Sequence, residues 1–456
     1  MVIYDLKIKQ LIIPEGIQEG QYTEEDIKQA YQDGYNDGND EGYQDGYADG
    51  LDDGFDEGYQ SGYTDGTETC QGEYGKELTF EIQSDGDIKW WATSSSMTKT
   101  IEYKKNDGEW TSITSTTGGT SIPVVSGDTV QFRGDNGSYS NFIERSWFYS
   151  NCQFKLRGNI MSLIDSVDFS NLDTLTENFT FSGMFNGCTG LTDVSKLVLP
   201  ATTLTQRCYA GMFEGCSSLT TVPELPATTL ADSCYYGMFN RCTSLTTAPE
   251  LPATTLAQGC YYFMFNSCTS LVNAPELPAT TLTQSCYDNM FRGCTSLTTA
   301  PELPATTLAR QCYSQMFGDC TSLTTAPELP ATTLADSCYV YMFMNCTSLT
   351  TAPELPATTL TQGCYGNMFE GCTSLTTVSE LPATTLATTC YANMFNGCSS
   401  LNYIKCLATN MSAGRCTVNW VNGVAENGTF VKNPNMNSWP TGIDGIPENW
   451  TVQDAS

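Results

Sequence analysis

The sequence contains no histidine in its 456 residues. This absence removes the most common general base, the usual partner of serine and cysteine nucleophiles, and the most common metal ligand. No CxxC pair occurs either, which disfavours a zinc knuckle. Paired carboxylates are the remaining route to catalysis, but the acidic residues are concentrated in one low-complexity segment and are not scattered as those of an active site are. We therefore expect neither an enzyme nor a cofactor.

Basic residues and long apolar runs are also scarce. Lysine and arginine total 20 against 51 acidic residues, for a net charge of -31. A phosphate backbone would be repelled, so we expect no nucleic-acid partner. No run is apolar and long enough to cross a membrane, so we expect no membrane insertion. The opening MVIYDLKIKQLIIPEG alternates apolar and polar residues and has no small-residue cleavage site, which predicts a β-like anchor segment over 1–22 and no signal peptide.

Residues 23–76 are predicted to form an acidic stalk. A capping-box-like start at Thr23 precedes glycines at every fourth position from Gly34 to Gly66. Aromatic residues lead most of these four-residue units, and 31–66 holds eleven acids and no basic residue. Because an α-helix has 3.6 residues per turn, glycine and tyrosine would wind around it as adjacent ribbons. We predict a helical stalk that self-associates through residues 23–66 into a homo-oligomer.

Two other interpretations of the stalk stay open. Nine glycines cost an isolated helix about 1 kcal/mol each relative to alanine. A flexible spacer of Asp-Gly turns therefore explains the segment nearly as well. A calcium site is the weakest interpretation, because the spacing does not fit an EF-hand loop.

Residues 77–165 change to short alternating runs that are typical of β-strands. Asn106-Asp107-Gly108 provides a hairpin turn between Ile101–Tyr103 and Trp110–Ile113. We predict a small β-sandwich-like, Ig-like module here. Of the adjacent Trp90 and Trp91, one is expected in the core and one at its boundary.

From about residue 184 the chain repeats with a period of 26. The unit reads MFxxCTSLTTAPELPATTLxxxCYxx, and its Met-Phe pair occurs nine times between Met184 and Phe395. One unit cannot bury its own apolar residues, so neighbouring units must stack into a solenoid. We predict a solenoid over 166–405, with LTTAP as one short strand per coil and ATTLxxxCYxxMF as the place for a short helical turn. Residues 406–456 are predicted to cap its open end.

The repeat also predicts its core. In the unit that starts at Met264, the inward residues should be Phe265, Cys268, Leu271, Leu277, Leu282, Cys286 and Tyr287. The cysteines recur on the same period in two columns, one at Cys216, Cys242, Cys268 and their equivalents and the other at Cys208, Cys234, Cys260 and theirs. We interpret both columns as buried free thiols that fill a narrow core, because disulfides between coils would force off-ladder geometry.

The unit MFxGCTSLTTAPELP followed by ATTLxxxCYxxMF resembles the BspA-like leucine-rich repeats over about 184–405. It departs from them in its 26-residue length and in the second cysteine, before the tyrosine. LRGNIMSL at 156–163 and NWVNGVAENGTFVKN near the C-terminus are similar to parts that accompany such repeats in gut Bacteroidales and their phages. The resemblance implies a leucine-rich-repeat fold and a role in adhesion or receptor binding.

Positions that vary between repeats are the candidate binding surface. They are the two residues after Cys-Tyr, the two after Met-Phe and the three before Cys, and stacking aligns them into one surface. Exposed aromatic residues with arginine suit sugars or a protein face. The predicted ligand-binding residues are Tyr236, Arg241, Tyr262, Phe263, Arg292, Arg310, Tyr341 and Met344. Drift at unconstrained positions is the alternative explanation.

Two functions fit these features. The first is a virion protein of a phage, a head or tail fibre whose N-terminus contacts other virion proteins and whose solenoid binds a glycan or protein on the host surface. The second is a bacterial surface adhesin or a component of an injection apparatus. The expected location is the virion surface or the extracellular space.

Overall fold

The computed structural model describes residues 72–141, 143–436 and 438–456. The predicted anchor segment 1–22 and nearly all of the predicted stalk lie outside these residues, so both stay predictions. The described chain belongs to one compact unit, Cys70–Ser456.

Besides the α-helical residues 72–74, the described part contains twelve β-strands and three short 3-10 helices. The strands are β1 Leu78–Ile82, β2 Gly86–Ala92, β3 Thr100–Lys105, β4 Thr111–Thr114, β5 Thr120–Val124, β6 Thr129–Arg133, β7 Ser146–Ser150, β8 Phe154–Asn159, β9 Leu191–Val198, β10 Tyr403–Cys406, β11 Thr429–Lys432 and β12 Thr451–Asp454. The 3-10 helices are Ser95–Met97, Ile160–Leu163 and Phe169–Asn171. The strands form three sheets, whose strand orders are β4-β3-β6-β1-β8-β9, β5-β2-β7 and β10-β11-β12.

The N-terminal module is a pair of mostly antiparallel sheets with an aromatic core between them. Phe80 of β1, Phe132 of β6 and Phe148 of β7 contact one another with ring centroids 4.7–5.1 Å apart. The predicted β3–β4 hairpin is confirmed by the pairing of Ile101 with Ile113, and Asn106 has the positive φ (52°) that its turn requires. The module is all-β as expected, while its Ig-like character stays a prediction.

The tryptophan pair divides as predicted. Trp90 is completely buried, and its indole Nε1 donates to the Lys99 carbonyl at 2.8 Å. Trp91 points to the opposite side of β2, where it is partly exposed and stacks on Trp147 with centroids 5.9 Å apart.

The module and the solenoid share one sheet. Strand β9, in the first coil, pairs in parallel with β8 and so extends the six-stranded sheet of the module. The buried residues on both sides of this junction form one continuous core. The module therefore covers the first coil of the solenoid, as a terminal repeat needs.

Each coil contacts its neighbours along three lines. One line runs through the second threonine of ATT, where single parallel bridges join Thr203, Thr229, Thr255, Thr281, Thr307 and Thr333 in series. A second line runs through LTT, with bridges such as Thr247–Asn273 and Asn273–Thr299. The prediction of a strand over LTTAP is wrong, because each coil makes a single bridge there. The proline has no N–H to donate and so keeps the ladder to one bridge per coil.

The third line is a turn segment, residues 259–268 in one coil and their equivalents in the others. Its N–H groups alternate: Gly259, Tyr261, Phe263, Phe265 and Ser267 donate to carbonyls of the next coil, and Cys260, Tyr262, Met264, Asn266 and Cys268 donate to the carbonyl three residues back. This is a chain of overlapping β-turns tied to the next coil at every second residue. The predicted helical turn is therefore wrong, since a helix would use its N–H groups internally.

The solenoid core consists of residue columns in register. All seven residues predicted to point inward in the unit from Met264 are buried. The phenylalanines of Met-Phe stack from Phe185 to Phe395 with centroids 5.6–6.0 Å apart, and the tyrosines of Cys-Tyr form a second stack from Tyr209 to Tyr391. Both stacks end on Trp420, which is fully buried.

The cysteine columns are buried thiols, as predicted. Twenty cysteines lie in the described residues, and all are free and buried. In one column each thiol donates to a phenylalanine carbonyl of the preceding coil, as Cys242 does to Phe213 at 3.1 Å. Burial raises the pKa of Cys268 to about 12, so the thiolate form is suppressed.

Candidate ligand-binding surface on the turn segment

The turn segment directs two residues inward and then two outward. In one coil Cys260 and Tyr261 are buried, Tyr262 and Phe263 are partly exposed, and Met264 and Phe265 are buried again. Stacking of coils aligns the outward residues into a continuous surface, here called the turn face. It contains the positions after Cys-Tyr and Met-Phe that vary between repeats.

These variable positions are constrained by the backbone. Every fourth residue of the segment has a positive φ, as Gly259 (57°), Phe263 (59°) and Ser267 (59°) show. Residues with a side chain rarely adopt this left-handed conformation, and glycine, asparagine and aspartate do so at least cost. These positions vary in sequence, as predicted, but the backbone restricts three of them in each coil: the residue before Cys-Tyr, the second residue after Cys-Tyr and the second residue after Met-Phe.

The middle one of the three left-handed positions forms a column that we call the middle column. Its residues are Gly183, Gly211, Gly237, Phe263, Asn289, Gln315, Tyr341, Asn367, Asn393 and Asn419. Phe263 and Tyr341 are its two aromatic members, at φ of 59° and 57°. A bulky residue in this conformation costs about 1–3 kcal/mol, and such residues cluster at functional sites. Outside the column, Phe179 is the other aromatic residue with positive φ in the described chain.

Three of the predicted site residues form an aromatic cluster. The ring of Tyr262 stacks on Phe263 with centroids 4.3 Å apart, and Tyr236 of the preceding coil meets both rings edge-on at 5.3 and 5.9 Å. The Arg207 guanidinium lies 5.4 Å from the centroid of Tyr236. The cluster therefore presents aromatic surface over two coils, with a cation at one side.

Short polar residues replace the aromatic ones in the next two coils. Asp288, Asn289 and Ser314 are 5, 2 and 2 % exposed. The Asn289 amide donates to the Asp288 carboxylate at 2.7 Å, while its own Oδ1 is buried and has no hydrogen-bond partner in the described chain. Burial raises the pKa of Asp288 to about 6, against opposing hydrogen bonds from Ser314 and Asn289.

The other predicted site residues have different surroundings. Arg292 is held by Asp319 at 3.1 Å and by Gln315 at 2.7 Å, so its guanidinium serves intramolecular contacts. Arg241 is exposed and occupies a left-handed position (φ 61°). Arg310 is exposed and precedes the turn face along the chain, and Met344 is partly exposed in the column after Met-Phe.

Sequence reasoning did not select Asp288, Asn289 and Ser314. They stood among the variable positions, but exposed aromatic and arginine residues were preferred over short polar ones. The signal that was available is the order within the columns, where Tyr236 and Tyr262 give way to Asp288 and Ser314. Their burial and the unpartnered Asn289 oxygen depend on coil stacking.

Other kinds of site find little support in the described chain. Groups of three or more histidine, cysteine or acidic residues that could hold a metal ion do not occur within residues 72–141, 143–436 and 438–456. Over the same residues, the structure contains no helix with the length and apolar character required to cross a membrane.

The stacked coils and their aligned outward columns define a solenoid repeat protein of the surface or binding kind. Residues 182–298, 234–354 and 313–417 match the BspA type leucine-rich repeat region, with six copies. Together the matches span just over half of the chain, so the protein belongs to the BspA-type leucine-rich repeat family, as the resemblance in its sequence predicted. No curated protein matches the chain.

Proposed function

We propose that the protein is a non-enzymatic binding protein that recognises a glycan or protein on a host surface through the turn face. The carrying observation is the presence of Phe263 and Tyr341 in left-handed backbone conformations. Each costs stability where glycine or asparagine, found elsewhere in the middle column, would cost less. Such strain persists where it contributes to function, and exposed aromatic surface is what recognition sites use.

The setting that we propose is a virion-associated fibre, in which an N-terminal stalk assembles a homo-oligomer and contacts other virion proteins. Its origin in gut Bacteroidales or their phages rests on the resemblance of the sequence. The alternative, a bacterial surface adhesin or a component of an injection apparatus, would use the same turn face. The two functions differ in the particle to which the solenoid is attached, which is a phage in the first and a bacterial cell or its injection apparatus in the second. Imaging of phage particles with an antibody to the solenoid would separate them, because particle-bound label is expected only of the fibre.

The test of the binding surface uses substitutions that remove a ring and favour the observed backbone. Full-length Phe263→Asn and Tyr341→Asn, singly and together, are compared with the wild-type protein for binding to host cells and to a glycan array. Asn393→Gly in the same column is the matched control. We expect the double variant to lose at least about tenfold in affinity, while the control stays close to wild type.

Melting temperature is measured on the same samples. A loss of binding with an unchanged or higher melting temperature assigns the loss to the rings. Wild-type binding by the double variant would remove the turn face as the binding surface and, with it, this proposal.

A further inference from the structure

A cleft of about 700 Å³ lies beside the coil that follows the last Met-Phe pair. One wall of the cleft is formed by this coil, with lining residues between 409 and 418. The other wall consists of Met436, Ser438, Pro440 and Asp444, from the segment between β11 and β12. The cleft therefore lies where a further coil would stack.

The cleft is lined by residues whose backbone donors are unused. In the preceding coils, the N–H groups of the residue before Cys-Tyr and of the tyrosine donate to the next coil, as those of Thr389 and Tyr391 do at 3.2 and 2.9 Å. Their equivalents, Arg415 and Thr417, have no acceptor for these N–H groups in the described part of the chain. Both residues line the cleft. An N–H without an acceptor is costly, so these two donors are available to a ligand.

The next N–H in this row shows which kind of acceptor the row takes. The N–H of Asn419 donates to the carboxylate of Asp444 at 2.6 Å. Arg415 and Asn419 keep the left-handed conformations of the preceding coils, with φ of 57° and 54°. Successive backbone N–H groups in turn conformations form concavities that hold anions. The row is therefore suited to a second carboxylate beside that of Asp444.

The side chain of Arg415 adds a positive charge to these donors. It is exposed and makes no ion pair or hydrogen bond with the described residues. Its left-handed position costs stability that glycine, found at Gly259 and Gly363 in the same column, would not. Asp444 is the other charged residue of the lining, and one of its oxygens is engaged by Asn419. An arginine that is strained and unpaired, in a protein of net charge -31, favours an anionic ligand.

The remaining lining suits a sugar. Ser412 and Ser438 are exposed and have hydroxyl groups that can donate or accept hydrogen bonds. Met411 and Met436 provide apolar surface against which the C–H face of a sugar ring can pack. Polar groups at the edge and apolar surface between them are typical of small-ligand sites.

We propose that this cleft binds the carboxylate of an acidic saccharide. The carboxylate accepts hydrogen bonds from the N–H groups of Arg415 and Thr417 and pairs with the Arg415 guanidinium. The site is separate from the aromatic residues of the turn face, so it adds a second binding site to the proposed function.

The experiment is a calorimetric titration of the full-length protein with galacturonate, glucuronate and N-acetylneuraminate. Galactose and the methyl ester of galacturonate, which lack the charge, are the matched probes. Affinity is then measured for Arg415→Gly, whose glycine suits the left-handed backbone. Asp444→Asn removes the opposing charge and keeps an oxygen for the Asn419 N–H. Arg207→Gly, which changes the residue before Cys-Tyr in another coil, is the matched control.

We expect an acidic sugar to bind and the uncharged probes to bind at least about tenfold more weakly, because they cannot pair with Arg415. Arg415→Gly should weaken binding by about tenfold to a hundredfold, and Arg207→Gly should change it less than about twofold. Asp444→Asn should strengthen binding by about twofold to tenfold. Hydrogen exchange over residues 409–418 should slow when the sugar is bound, because the free N–H groups gain acceptors.

Equal binding of galacturonate and galactose, or no binding of any acidic sugar, would overturn the carboxylate site. Tighter binding of a short peptide with a free C-terminal carboxylate than of the sugars would overturn the saccharide assignment. A loss of affinity in Arg207→Gly as large as that in Arg415→Gly would overturn the placement in the cleft. Melting curves show whether each variant is folded, and if Arg415→Gly unfolds, Asp444→Asn and hydrogen exchange decide.

Discussion

The ring of Tyr262 stacks on the ring of its chain neighbour Phe263, with centroids 4.3 Å apart and an angle of 26° between the planes. In an extended strand, consecutive side chains point to opposite faces and could not stack in this way. The left-handed conformation of Phe263 (φ 59°) brings both rings to the same side of the coil. The aromatic surface of the turn face therefore depends on a strained backbone position.

Replacement of Phe263 by asparagine should make the fold more stable. Asparagine tolerates the left-handed region, so we expect the free energy of unfolding to rise by about 1 kcal/mol, less whatever ring packing on Tyr236 and Tyr262 is lost. Denaturant unfolding of the variant beside the wild-type protein measures this change in the free energy of unfolding. Asn393→Phe is the reverse control and should destabilise the fold by a similar amount. A clear loss of stability in Phe263→Asn would mean that the ring's packing outweighs the strain.

Stability should depend on pH through Asp288. Its pKa in the fold is about 6, above the ordinary value of 3.8, so the native state binds more protons than the unfolded state between these values. The contribution of Asp288 to the free energy of unfolding is therefore greatest in acid. It falls by up to about 3 kcal/mol in total as the pH rises from about 4 to 6, and it does not change further above that pH. Asp288→Asn should remove this component of the pH profile. The exposed Asp336→Asn, as control, should keep it.

The native protein should resist thiol reagents. The twenty cysteines of the described chain are buried, and burial raises the pKa of those in both columns, as for Cys268 and Cys286, each to about 12. Only thiolates react quickly. With Cys70→Ser, which removes the cysteine outside the described residues, we expect no rapid reaction with an aromatic disulfide until denaturant is added. Rapid labelling of several thiols in the native state would contradict the closed core.

The predicted oligomer has a direct test in solution mass. Light scattering of the full-length protein is compared with that of the chain shortened to 70–456, the compact unit of the structure. We expect an oligomer for the first and a monomer for the second, because the glycine-periodic segment 23–66 is the predicted contact. Two monomers would leave that segment as a spacer, and an oligomer of the shortened chain would place the contact in the module or the solenoid.

The 26-residue repeat was enough to predict the solenoid and its core. A repeat whose apolar residues cannot be buried by one unit must stack, so Phe265, Leu271 and Tyr287 had to point inward. The hairpin at Asn106 followed from local turn chemistry in the same way. These inferences succeeded because they depend on periodicity and on backbone preferences that are properties of the local sequence.

The detail of each coil was decided by tertiary structure. LTTAP became a single bridge and ATTLxxxCYxxMF a chain of β-turns, because hydrogen bonds to the next coil replace those that a strand or helix would make. The same contacts impose a positive φ on every fourth residue of the turn segment.

The sequence by itself therefore determined the repeat, the buried columns and the family. It also brought forward Tyr236, Tyr262, Phe263 and Tyr341 as residues that vary while their neighbours do not. Only the tertiary structure decided that Phe263 and Tyr341 are strained and that Asp288 and Asn289 are buried between them. Strain and burial are set by contacts between residues 26 positions apart, which no local preference contains.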